Sequence, residues 1–171
     1  SSLGGYPPAD IFKEDDFFSG PPSPNDYEAA MSKRVGEIQL QAMFKEYGFR
    51  SSTCRPSNIH GKYDDYSGNG MVIPSTIKRA IESTDKLVCW GTGTPLRTFV
   101  SGYDVARAII FLIENEITDP VNVGGEDPCS IKQLVETIVR HIPHKLEIEW
   151  DHSKPDGDQI RVVDTSRIKS Y

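Results

Sequence analysis

Trp90-Gly91-Thr92-Gly93-Thr94-Pro95-Leu96-Arg97-Thr98-Phe99-Val100 reads as a strand end, a turn and a second strand, with a helix from Asp104 to Glu114 close behind. Val105, Ala108, Ile109 and Leu112 recur at helical spacing and give that helix one apolar side. The alternation continues outward in both directions. Toward the C-terminus come a strand at Val121 to Val123 ending at Gly124-Gly125, a helix from Ile131 to His141 capped by Ser130, a strand at Leu146 to Trp150, and a turn at Lys154-Pro155-Asp156-Gly157. Toward the N-terminus come a strand at Leu87 to Trp90, a helix from Val72 to Glu82, a loop from Asn58 to Gly70 and a strand from Phe49 to Arg55. Before these, Asn25 or Asp26 caps a helix that runs to about Tyr47 and stops at Gly48. Val35, Ile38, Ala42 and Met43 are its expected buried stripe, Pro7 to Pro24 reads as a loop, and residues 1–6 read as a strand end. Strands alternating with helices indicate an α/β chain.

A complete dinucleotide fold opens on a strand and a Gly-rich phosphate loop. Gly91 and Gly93 do not supply it, because the third glycine is missing and Pro95 follows. A pyrophosphate site is therefore expected on sequence outside this chain, or the chain binds no cofactor.

With 171 residues the chain is long enough for one substantial core. A net charge of -6 leaves no electrostatic footprint for nucleic acid. No apolar run reaches membrane-spanning length and no signal peptide is visible, so a cytoplasmic protein without membrane partners is expected. Cys54, Cys89 and Cys129 lack metal spacing and read as reduced, buried thiols. His60, His141, His144 and His152 form no metal or nucleophile set, so no metal site is expected.

Five segments together carry a likeness: Arg55-Pro56-Ser57-Asn58-Ile59-His60-Gly61, the Trp90 to Val100 stretch, Asp104-Val105-Ala106, Asn122-Val123-Gly124, and Lys154-Pro155-Asp156-Gly157. In this order and spacing they resemble the extended short-chain dehydrogenases/reductases, the NAD-dependent epimerase/dehydratase family. Within that family they are similar to the epimerase/reductases that make GDP-L-fucose. The resemblance covers nearly all of this chain but only the second half or more of a family protein. It implies the C-terminal part of a Rossmann-like parallel sheet with a smaller α/β substrate-binding domain. Residues 1–60 would be the remainder of the dinucleotide-binding domain. Residues 61–171 would mainly bind the nucleotide sugar, with some segments returning to the Rossmann domain.

Roles follow by the same resemblance. Ser2 matches the catalytic serine, and Lys33 the lysine that holds the nicotinamide ribose. Ala29 stands where the family has its tyrosine, four residues before Lys33 and so on the same helical face. A phenol there would pass a proton to a carbonyl oxygen, its pKa drawn down from about 10 by the ammonium. Tyr27 is the obvious substitute, but six residues correspond to roughly 600° of rotation, which turns it away from Lys33. Ser1, Ser2, Leu3, Pro56, Ser57, Asn58 and Ile59 match segments lining the nicotinamide half of NADP, with NAD as the alternative. Arg79, Trp90 and Arg97 match contacts to the nucleotide sugar, and Arg161 a basic residue near the diphosphate. Guanidinium forks grip diphosphate oxygens in pairs, and an indole stacks on a base or covers a sugar face.

Departures narrow the expected reaction. The fucose branch epimerises with a cysteine and a histidine, where this chain has Gly4 and Met71; neither moves a proton at carbon. Dehydratases carry an acid after the serine, where Leu3 and Gly4 stand. What remains is hydride transfer at C4, in an NADP-dependent reductase acting on a nucleotide-linked 4-keto-6-deoxy sugar. Ala29 is expected to impair it severely. The alternatives are a nucleotide-sugar 4-epimerase, a non-catalytic sugar-nucleotide binding module, and an interaction protein in which the Lys33 helix pairs with another subunit. The family commonly forms a dimer through that helix, so a homodimer is expected.

Overall fold

The computed structural model describes residues 5–7, 9–67 and 71–171. In chain order the elements are β1 (Ile11–Phe12), α1 (Tyr27–Tyr47), β2 (Cys54–Pro56), β3 (Asn58–His60), α2 (Val72–Glu82), β4 (Lys86–Trp90), β5 (Leu96–Arg97), β6 (Phe99–Ser101) and α3 (Gly102–Glu114). They continue with β7 (Val121–Val123), β8 (Cys129–Ser130), α4 (Ile131–His141), β9 (Glu147–Asp151), β10 (Ile160–Val163) and α5 (Ser166–Lys169). The chain divides into two units: residues 1–59, 98–127 and 161–171 form the first, and residues 60–97 and 128–160 the second. Among the described residues no helix is long and apolar enough to cross a membrane.

In the first unit β2 pairs in parallel with β7, Arg55 opposite Asn122, and β1 pairs in parallel with β10. Parallel neighbours need long crossovers, and α3 lies on the one between β2 and β7. Ser101 starts α3 by accepting the Asp104 backbone N–H at 3.0 Å. Val105 and Leu112 then pack with Val100, Ile117, Val121 and Val123 into one apolar core. Tyr6, Phe12, Phe17 and Val163 close a second cluster. The segment expected as a plain loop therefore holds a strand and a 3-10 turn at Glu14–Phe18, whose aromatic residues are partly core.

In the second unit β4 pairs in parallel with β9, Lys86 opposite Glu147 through Trp90 opposite Asp151. β5 pairs antiparallel with β8. Along β4 the side chains alternate, Leu87 and Cys89 buried, Lys86, Val88 and Trp90 exposed, as a half-buried strand requires. A capping box between Ser130 and Gln133 starts α4. Ala80, Leu87, Cys89 and Val135 form this unit's core.

Other element readings also differ from expectation, and β3 opens the segment read as a loop from Asn58 to Gly70. On α1 the buried side chains are Ala30 and Arg34, whereas Val35, Ile38 and Met43 are exposed. The stripe has the right spacing, but the inner face is chosen by polar partners described below. β10 and α5 lie where no element was expected; both are short, and four residues carry too little periodicity to announce them.

Candidate functional site

α1 starts with Glu28 in its first turn and has Lys45 in its last, each charge opposing the helix dipole at its end. Ala29 and Lys33 are both exposed and one turn apart. Among the described residues the Lys33 ammonium has no ion-pair partner. Ser1, Ser2, Leu3 and Gly4 lie outside the described residues. Tyr27 begins α1 and is half exposed.

The neighbouring face of α1 meets a polar cluster that the sequence did not announce. Arg55, 2% exposed, bonds Glu37 through Nε at 2.9 Å and Nη2 at 2.6 Å. It also donates to the Glu14 carbonyl at 2.8 Å and to the Tyr6 hydroxyl at 3.3 Å. Burial opposes the Arg55 charge, but the hydrogen-bonded Glu37 carboxylate and the Tyr6 oxygen together more than offset it and hold its pKa above the ordinary value. Asn122, fully buried, accepts the Tyr6 hydroxyl and donates to the Phe12 carbonyl at 2.9 Å, while its backbone N–H reaches Glu14 Oε1 at 2.8 Å. Burial pushes the Tyr6 phenol up to about 12, against the pull of Arg55, so it is a hydrogen-bond donor rather than an acid. Arg55 and Asn122 stood inside quoted motifs. Tyr6, Glu14 and Glu37 had no signal, because their partners are up to 116 residues away.

The segment after β2 is held from within. The Ser57 backbone N–H donates to the Val123 carbonyl at 2.8 Å, and the Asn58 amide to the Thr98 carbonyl at 3.0 Å. Pro56 and Ile59 are half buried, and the fully buried Ser57 hydroxyl has no partner among the described residues. Lys33, expected to hold the nicotinamide ribose, is a cation on the exposed face of α1 with no ion-pair partner among the described residues. None of the described glycine turns fits a pyrophosphate. Gly91 and Gly93 have φ of 76° and 73°, and added Cβ atoms would strike Asp156 and the Trp150 ring. These glycines serve a turn and a close approach, not a phosphate cradle.

Asp156 explains why two motifs of the second unit travel together. Its carboxylate accepts the Thr92 backbone N–H at 2.6 Å and the Thr92 hydroxyl at 2.8 Å, so Lys154-Pro155-Asp156-Gly157 fastens the turn between Trp90 and Arg97. Those bonds, the backbone one first, hold the Asp156 carboxyl below its usual range. Trp90 is 66% exposed, and the Lys154 ammonium lies 5.8 Å from its ring centroid. Arg97 is half buried, with Nη1 donating to the Leu96 carbonyl at 2.8 Å. Arg79 reaches the Val88 carbonyl on the same strand as Trp90. Arg79, Trp90 and Arg97 all belong to the second unit. Arg161 belongs to the other unit, where Asp26 pairs with it at 2.8 Å.

The chain matches the NAD dependent epimerase/dehydratase family over residues 1–124. It is 34% identical over 162 residues to a probable GDP-L-fucose synthase 1 of Oryza sativa subsp. japonica, covering 91% of this chain and 49% of the relative. The chain spans about half the length of the curated relatives it matches. A GDP-L-fucose synthetase of Naegleria fowleri bound to NADP superposes with a TM-score of 0.82 at 22% identity, over 93% of this chain and 53% of that one. A GDP-D-glycero-L-gluco-heptose synthase of Campylobacter jejuni, solved in the presence of NADPH, superposes with a TM-score of 0.85 at 18% identity, over 99% and 62%. At such identities the superpositions establish a shared Rossmann-like α/β fold. With the family match covering most of its length, this chain belongs to the NAD dependent epimerase/dehydratase family.

Proposed function

We propose that this chain is part of an NADP-dependent reductase acting on a nucleotide-linked 4-keto-6-deoxy sugar, with GDP as the nucleotide. The phosphate-binding half would lie on sequence outside this chain. The observation that carries the reading is the exposed face of α1, where Ala29 stands one turn from Lys33, which has no ion-pair partner among the described residues. The rice relative, named for GDP-L-fucose synthesis, supports the substrate class, and the NADP-bound Naegleria protein supports the cofactor. In this reading the first unit completes the dinucleotide domain, and the second holds the sugar nucleotide.

Bound NADP would supply a hydride to C4. Lys33 would hold a ribose hydroxyl, beside backbone from Pro56 to Ile59. Ser2 would donate a hydrogen bond to the substrate carbonyl oxygen. Trp90 offers an exposed ring for the base or sugar, and Arg97 a fork for diphosphate oxygens, with Arg79 and Arg161 as further cations. Position 29 offers only a methyl group, so no acid protonates the oxygen there and turnover is impaired. In a protein comprising this chain and a phosphate-loop half, Ala29→Tyr is expected to raise NADPH oxidation with a GDP-4-keto-6-deoxy sugar by about 10²- to 10⁴-fold. An unchanged rate with ligand binding intact removes the acid role from position 29.

Ala29 favours a second reading, a sugar-nucleotide binding module without turnover. It is distinguished by calorimetric binding of the sugar nucleotide while Ala29→Tyr adds no rate. Either protein would pair with a second copy through exposed apolar side chains of α1 and α3, among them Val35, Ile38, Ile110 and Ile113. Sedimentation reads that state directly. A cytoplasmic setting suits the three unpaired cysteines.

A further inference from the structure

Two guanidinium groups grip one stretch of chain from opposite elements. Arg34, 7% exposed on α1, donates from Nε to the Gly5 carbonyl at 2.8 Å. Arg55, on β2, donates from Nη1 to the Glu14 carbonyl at 2.8 Å. Both lie near the ring of the fully buried Phe17, Arg34 at 5.6 Å and Arg55 at 3.9 Å from its centroid. Glu37, one turn beyond Arg34, is fixed to Arg55 by two bonds. The gripped segment begins three residues after Ser2 in sequence, and Arg34 follows Lys33 directly.

This arrangement costs stability. Burial lowers the Arg34 pKa, a second buried cation stands nearby, and Arg34 Nη2 is buried without a partner among the described residues. Well-packed apolar side chains of similar volume are commonly as stabilising or more so. What apolar side chains lack is direction. A guanidinium fork bonded to a backbone carbonyl fixes both distance and angle, whatever side chain that residue bears. An α-helix is stiff over one turn, so a shift of the helix against the Gly5 segment that breaks the Arg34–Gly5 bond also displaces Lys33.

Resting on the reading of Ser2 and Lys33 given above, we propose that Arg34 and Arg55, braced by Glu37, are positioning residues that set the register between the segment following Ser2 and the helix bearing Lys33. They touch neither substrate nor cofactor. A misplacement of about 1 Å is enough to cost roughly 10²-fold in rate, so the bracket acts on kcat through geometry.

The test uses a protein comprising this chain and a phosphate-loop half, with Ala29→Tyr as the active parent. Arg34→Met is expected to lower kcat about 10- to 100-fold while KM changes less than about twofold. Arg34→Lys keeps the charge without the planar fork, and is expected not to restore kcat. Both variants should speed hydrogen exchange of backbone amides across residues 9–18. Retained kcat alongside a lowered melting temperature would overturn the proposal and leave the bracket a stabilising contact only. If Arg34→Met does not fold, Arg34→Lys decides alone: full kcat overturns the proposal, and reduced kcat at unchanged KM supports it. If the parent shows no turnover, the functional reading fails by itself. Exchange then decides the bracket: faster exchange confined to residues 9–18 in the Arg34 variants supports it, and exchange that is unchanged, or faster throughout the chain, overturns it.

Discussion

The core around Phe17 in the first unit and the core around Leu87 in the second exclude water by different means. Around Leu87 the partners are Ala80, Cys89 and Val135, with flanking side chains such as Ile148 and Trp150. Their attraction follows buried area and has no preferred direction. Around Phe17 an aromatic trio, Tyr6, Phe12 and Phe17, closes on Arg55, Glu37, Glu14 and Asn122. There each contact has a distance and an angle, and each lost partner strands another polar group. The apolar core tolerates small adjustments, whereas the polar one specifies a single arrangement or fails.

Arg55→Met should have the largest effect on that difference, because it leaves the largely buried Glu37 carboxylate, 12% exposed, without its cation. A loss of about 3–5 kcal/mol is expected, measured by chemical denaturation of a protein comprising this chain and a phosphate-loop half. Adding Glu37→Leu should recover most of the loss, since an apolar pair of similar volume replaces the ion pair. No recovery would show that the backbone bonds to Glu14, rather than the buried charge, carry the effect.

Leu87→Ala should come next, at about 2–4 kcal/mol, because it opens a cavity in a core with no polar group to strand. The sharper distinction lies in its uniformity: a Leu87→Met exchange should cost under about 1.5 kcal/mol, as volume-conserving swaps do. A loss from Leu87→Met as large as that from Leu87→Ala would erase the contrast.

The third outcome concerns pH. The folded chain holds the Tyr6 proton up to about 12, whereas an unfolded tyrosine releases it near 10. This contribution is complete below pH 10 and falls away as pH rises toward 12, by about 3 kcal/mol in all. Denaturation midpoints should therefore drop more steeply between those values than in Tyr6→Phe, which has no phenol to titrate. Equal slopes would place the alkaline sensitivity elsewhere.

The second unit was the more legible of the two. Val72 to Glu82, Ile131 to His141 and the Ser130 cap could be read because each signal is local: a turn of apolar spacing, or a hydroxyl three residues from the N–H it accepts. The alternation of β4 likewise sends Trp90 to the open side through strand geometry alone. On α1 the same method predicted its length and its stop at Gly48, yet assigned its buried side to Val35, Ile38 and Met43. The helix buries Ala30 and Arg34 instead, since Gly5 and Phe17 attract a guanidinium there.

What the sequence determined by itself was the alternating α/β order, the family through five ordered motifs, and the juxtaposition of Ala29 with Lys33. All rest on spacing along one chain, which a helix or strand converts directly into a shared face. Only the tertiary structure decided that Asp156 closes the Thr92 turn, and that Arg55 joins Glu14, Tyr6 and Glu37 in one buried cluster. The physical reason is that a hydrogen bond across 64 residues, as between Thr92 and Asp156, depends on where folding brings two backbones together. Composition and periodicity carry no term for that distance.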